Sequence, residues 1–460
     1  MLKKIVNNKI ELIVIAITIF GGYLLKLDNW IFNIIGFLCL IYLFVLFSKN
    51  TKTIWLSLLY SIFLGGIRTI TIFGRTPTIF YSDIIIFFFV IVWGMRCIKE
   101  KHIIFHKTEF DWLFLLFILL NFVSLTRTHN ILKGLALLRL VNMGVLIFYS
   151  FIIFNRDRTK KELEKYMIYY LLFGFVVFMQ LIMTPLLRHQ TLQAFISDRS
   201  GVRLSWGGPA NYLAMIFNLF IPMYIGTIFN GTFGYSFFSL LSIFGIFLTS
   251  SRSGILSLSF SVFAMVVKFS LFIKRKVWII LLIILLSGLA VFIKQNSYTS
   301  LVFKRFQKFN LTKIYTGTPR HVFLKATLKI MKSKPIMGIG WGNYRSFLKQ
   351  NFPKNIELHD TAINIFLTEM ANAGFLGLIA LGLLLYIIFK IEFYLSFKQD
   401  YFNRHFEQFV FIGILAFFIH TLFEDFFINY HIVILFWTLI GMQYVKYFLS
   451  KKRIINEKKI

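Results

Sequence analysis

Apolar residues fill the chain in unbroken runs of roughly 17 to 24, each long enough as a helix to cross about 30 Å of hydrocarbon, with short polar turns between them. The runs lie near 10–26, 30–47, 53–73, 83–98, 111–125, 131–154, 165–187, 209–229, 235–250, 254–272, 277–294, 372–392, 406–422 and 426–448. They are continuously apolar and lack the alternation of a barrel strand, so helices are the spanning element. The expected fold class is all-α: a polytopic integral membrane protein with about 12–14 transmembrane helices and one large helical extracytoplasmic loop. The first run has no small-residue cleavage site and a second follows at once, so it is expected to stay as an anchor.

The pattern divides the chain into an N-terminal transmembrane bundle (1–200), further transmembrane helices (201–294), the long loop (295–371), and C-terminal helices with a basic tail (372–460). Lys and Arg in short turns mark the cytoplasmic side. With Lys3, Lys4 and Lys9 inside, the basic turns Arg96–Lys107, Arg156–Lys165, Lys268–Lys276 and Lys390–Arg404, and the tail from Lys446, fall inside too. Both termini are then cytoplasmic and the long loop is outside.

Composition adds 58% hydrophobic and 19% aromatic residues and a net charge of +31. The basic residues are dispersed along membrane turns, which suits topology and anionic lipid headgroups and argues against nucleic acid. The long loop carries a dozen Lys and Arg against Glu357, Asp360 and Glu369. Loops beyond about 60 residues translocate largely regardless of charge, so an anionic ligand is one reason for this excess and a solvated face near lipid is the other. Cys39 and Cys97 have no CxxC or metal-ligand spacing, so neither a disulfide framework, nor a metal, nor a cofactor is expected.

Within the loop, Thr318 and Pro319 suit the start of a helix over Arg320–Ser333 that ends at Pro335. Arg320 and His321 thus sit in a first turn. A cation there opposes the helix dipole unless an anion is bound, whereas free N–H groups beside an arginine form an anion site; an exposed surface arginine is the alternative. Asp360 is placed to cap a second helix from Thr361, with His359 just before it and Glu369 able to orient a partner or pair with a lysine. Histidine is the usual acceptor of an attacking hydroxyl's proton, though a lone histidine is more often structural. The glycines of Gly338–Tyr344 read as a tight turn, with Trp341 and Tyr344 as packing or sugar-stacking residues.

Two further arginines belong to the same face. Arg252 lies in Thr249–Gly254, an outward turn between spans, where a charge costs roughly 2.5–3.5 kcal/mol on insertion scales and marks function. Arg203 leads into the span that Pro209 opens. Arg68 and Arg139 fall within predicted spans.

From Arg203 to Leu384 the chain resembles the O-antigen ligase superfamily, which includes polymerases of lipid-linked repeat units. The resemblance rests on Arg252 in S-R-S-G, Arg320 in P-R-H followed by P-I-M-G-I-G, and His359 with E-M-A-N-A-G-F-L-G after it. Asp360 departs from the Asn or Ser expected after the histidine. The resemblance implies a metal-independent inverting glycosyltransferase. It would pass a glycan from an undecaprenyl-diphosphate donor to an acceptor hydroxyl, such as that of lipid A core. Arg252, Arg320 and Arg203 would hold the diphosphate and His359 would be the base. A repeat-unit polymerase, of O-antigen or of capsular or exopolysaccharide, shares the donor chemistry. A polysaccharide or lipid transporter is the rival of another class, and the missing inverted repeat counts against it.

Overall fold

This computed structural model describes residues 9–25, 30–50, 53–63, 66–69, 78–187, 210–230, 233–249, 251–270, 319–352, 360–426 and 429–457. In chain order its elements are α1 (Lys9–Leu24), α2 (Trp30–Lys49), α3 (Ile54–Tyr60), β1 (Gly66–Thr69), β2 (Thr78–Phe80), α4 (Tyr81–Glu100), α5 (Asp111–Leu125), α6 (Ile131–Asn155), α7 (Lys160–Leu187), α8 (Ala210–Gly226), α9 (Phe237–Thr249), α10 (Arg252–Ser270), α11 (Pro319–Ser333), α12 (Tyr344–Asn351), α13 (Ile365–Phe397), α14 (Arg404–Thr421) and α15 (Tyr430–Glu457). The protein is an all-α polytopic membrane protein. Six helices among the described residues, α4, α6, α7, α8, α13 and α15, are long and apolar enough to span a membrane.

Most of the apolar runs fall on helices, whose ends differ from the runs by up to nine residues, as Tyr430–Glu457 does from 426–448, and two runs stand apart. The run near 277–294 lies outside the described residues. The run near 53–73 is not one helix: α3 is short, and beyond it Gly66–Thr69 pairs antiparallel with Thr78–Phe80, with a bulge between Gly66 and Arg68. Gly65 and Gly66 interrupt the run, and glycine is a poor helix former that fits a bulge.

The core is a single apolar cluster centred on α8 and α15, which are buried almost all round. A helix apolar on every face belongs in the middle of a bundle. Peripheral helices turn large side chains such as Phe37, Phe87, Trp112 and Phe263 outward, the surface a lipid solvent requires.

Hydrogen bonds sort the turns into two ends. At one, Glu109 before α5 accepts from Tyr447 at 2.6 Å, Lys390 at 2.9 Å and Lys451 at 3.1 Å. Burial pushes the Glu109 carboxyl up, but these three donors outweigh it and hold it at about 2. Lys160 donates to the Tyr401 carbonyl at 2.6 Å and Lys165 to Glu11 at 2.7 Å at this same basic end. The opposite end gathers the turns after α5, before α13, before α10 and between α14 and α15, and it carries the loop helices.

Candidate functional site

The site is organised around a break in α13. Gly374 has φ +70° inside that helix, and a Cβ there would lie 2.4 Å from the backbone carbonyl of Ile336. Carbonyls orphaned by the break, on Ala371 and Asn372, accept from the amides of Ile339 at 2.9 Å and Gly340 at 3.0 Å. Amides after it, on Phe375 and Leu376, donate to Pro335 and Ile336 at 2.8 and 3.3 Å. The Pro335–Gly340 segment therefore completes the helix it docks on. Gly338, Gly340 and Gly342 all have positive φ, and each brings backbone within 3 Å of where a Cβ would stand. The glycine-rich motif is thus a tight turn, as the sequence indicated.

Trp341, between those glycines, is fully buried. Its indole N–H donates to the Asn121 side-chain oxygen, and its carbonyl accepts from Thr128 Oγ1 at 2.7 Å. Tyr344 is fully buried and donates to the Phe323 carbonyl at 3.0 Å; burial raises its phenol above the usual range. Of the two roles open to these rings, both serve packing. Glu369 is also fully buried, and Asn121 Nδ2 donates to its Oε1 at 2.9 Å. Its partner is an amide of α5 and not a loop lysine.

α11 begins at Pro319 as expected, so Arg320 is its second residue and the half-buried His321 its third. Phe323, Ala326 and Ile330, spaced along one face, join Tyr344, Leu348, Ala362 and Ala371 in a second apolar cluster separate from the bundle core. Each large side chain there contributes about 1.5–3 kcal/mol. That cluster sets the first turns of α11 beside Ala362.

The expected cap at Asp360 is corrected by the structure. α13 starts at Ile365, and Asn364 caps it by accepting from the Leu367 amide at 2.7 Å. The Asp360 carboxylate is taken by Lys133 at the start of α6, with Arg345 of α12 at 3.9 Å. His359 and Arg203 lie outside the described residues.

Arg252 is exposed at the first position of α10, flanked by the buried Ser251 and Ser253. Ser253 Oγ lies 3.1 Å from His420 Nε2, and Asn218 donates to the Gly254 carbonyl at 2.9 Å. Arg139 is half-exposed, 3.4 Å from Asp83 and over the Phe80 ring at 5.7 Å.

Three of the predicted segments converge on one place. The last turn of α14 and the turn that follows it hold Ser253 through His420, Asn364 through the Leu422 carbonyl at 3.2 Å, and the start of α8 through Glu424 to Asn211 and the Asp425 carbonyl to Tyr212 at 2.9 Å. The Arg252 turn, the segment that follows His359 and the helix that follows Arg203 are therefore moored around one helix end. Sequence reasoning missed Asn121, Arg127, Lys133 and Asn343, which hold the loop unit to α5 and α6. A lone Asn within an apolar run and a basic turn after it were the only signals. Helix starts that carry arginines can bind an anion in several places at once.

Residues 237–382, from α9 through the first half of α13, match the family model described as O-antigen ligase. No curated protein matches the chain.

Proposed function

We propose, from the match of residues 237–382 to the O-antigen ligase family model, that the protein transfers a glycan from a polyprenyl-diphosphate donor to an acceptor hydroxyl. That match supports ligase- or polymerase-like glycan transfer in general. The finer reading takes undecaprenyl diphosphate as carrier and a lipid A core sugar as acceptor, at the outer face of the inner membrane. The basic end of the bundle is then cytoplasmic.

The observation that carries this reading is the convergence of the Arg252 turn, the segment after His359 and the helix after Arg203 on the α14–α15 turn. In the proposed step the acceptor oxygen attacks the anomeric carbon from the face opposite the diphosphate. The new C–O bond forms as the old one breaks, and the departing electron pair goes to the diphosphate oxygen. His359 takes the acceptor's proton. Arg252, Arg320 and Arg203, with the N–H groups opening α10 and α11, stabilise the charge that grows on the leaving group. In this reading the guanidiniums take the part a divalent cation would otherwise play, and no metal is assigned.

A strain lacking its own copy of the gene, complemented with Arg252→Ala or Arg252→Lys, tests the reading. Both should leave the surface glycan unassembled at normal protein levels, since an ammonium lacks the bidentate fork that suits a diphosphate. Wild-type glycan from Arg252→Ala would remove the arginine from the step.

A further inference from the structure

A groove of about 370 Å³ opens between the α5–α6 turn and the α11–α12 unit. Three cationic or titratable groups border it, Arg127, His129 and Lys334, and none of its lining residues is acidic. Arg127 is anchored by a hydrogen bond from Nη1 to the Gly338 carbonyl at 3.2 Å, which leaves the guanidinium exposed beside the groove. Among the described residues Lys334 makes no ion pair, and the carboxylates of this region, Asp360 and Glu369, are committed to Lys133 and Asn121. Ser346 and Gln350, one helical turn apart on α12, and the half-buried Phe347 also line the groove.

Basic groups lining one groove with a hydroxyl, an amide and an aromatic ring are the chemistry of a charged sugar: an acidic substituent for the cations, ring hydroxyls for the polar side chains, an apolar ring face for Phe347. The volume suits one or two sugar units. Lys334 comes 14 residues after Arg320 on the same stretch of chain. At 1.5 Å per residue that is about 21 Å along the helix, so a ligand here is a remote part of a long glycan. We infer that this groove binds an acidic sugar unit, its carboxylate or phosphate against Arg127 and Lys334 and its hydroxyls against Ser346 and Gln350. This rests on the reading of the protein as a glycan transferase. A lipid headgroup phosphate offers the same anion, but Ser346 and Gln350 in the lining favour the hydroxyl-rich ligand.

The full-length protein in phosphatidylcholine nanodiscs is titrated with an oligogalacturonate and with a neutral galacto-oligosaccharide of equal length. The acidic ligand should bind at least about tenfold tighter, and Arg127→Gln and Lys334→Gln should each remove about tenfold, as loss of a charge-assisted hydrogen bond does. Lys334→Gln serves where Arg127→Gln disturbs the turn at Gly338. Equal binding of the two ligands, or acidic binding unchanged in Lys334→Gln, overturns the inference. So does a result in which the variants alter only the association with phosphatidylglycerol, which makes the groove a lipid site. Binding needs neither donor nor chemistry, so its failure is distinguishable from a failure of the transfer step, which activity of the Arg252 variants reads.

Discussion

Asn121 Nδ2 donates to Glu369 Oε1 at 2.9 Å while the Asn121 oxygen accepts from Trp341, so one amide in α5 ties together the broken helix and the glycine turn. The indole N–H can only donate, and this fixes which way the amide points. Asn121→Ala should lower stability by about 2–4 kcal/mol, because it strands a buried indole and a buried carboxyl. Glu369→Gln keeps the acceptor and should stay within about 1 kcal/mol. Thermal unfolding in detergent checks both; equal melting of wild type and Asn121→Ala would contradict the role given to this amide.

Gly374→Ala should detach the loop unit. At φ +70° an alanine is strained, and its Cβ would sit 2.4 Å from the Ile336 carbonyl, part of the backbone and unable to swing away. A cost of at least about 2 kcal/mol follows, and tryptic cleavage after the exposed Lys332 should quicken. An unchanged digestion pattern would show that the break tolerates a side chain.

The bundle was legible because long apolar runs are a local signal that one solvent, lipid, interprets in one way. The hairpin at Gly66–Phe80 was not, since two glycines in an apolar run leave helix and ladder equally open until the pairing is seen. The order of the motifs around Arg252, Arg320 and His359 was legible for the same local reason. Their mooring was not: Thr128 meets Trp341, and Asn121 meets Glu369, across more than 200 residues. Asp360 shows the limit most clearly. Its spacing before an apolar run suits a cap, but Lys133, from a helix more than 200 residues earlier, binds the carboxylate and leaves capping to Asn364.

Glu109 should make the basic end sensitive to acid. Its carboxyl is held at about 2, below its ordinary 4.5, so the folded state favours the charged form. That contribution is complete above the ordinary value and is lost as pH falls from there toward about 2. The stability difference between wild type and Glu109→Gln should therefore shrink between pH 6 and pH 3. A difference that grows on acidification would contradict the three-donor arrangement.

Orientation is testable with single cysteines at two exposed positions. Gln350→Cys on α12 should react with an impermeant thiol reagent in intact cells, and Thr159→Cys at the basic end should not. The reverse pattern would turn the bundle over and place the loop unit in the cytoplasm.

The central claim, a His359-assisted glycan transfer without a metal, is tested most directly by single-turnover transfer in vitro. Purified protein is given a defined polyprenyl-diphosphate glycan and an acceptor in the presence of EDTA. Wild type should transfer at full rate. His359→Ala should lose about two to four orders of magnitude while still binding the donor. Near-normal transfer by His359→Ala, or a wild-type reaction abolished by EDTA and restored by magnesium or manganese, would contradict the account.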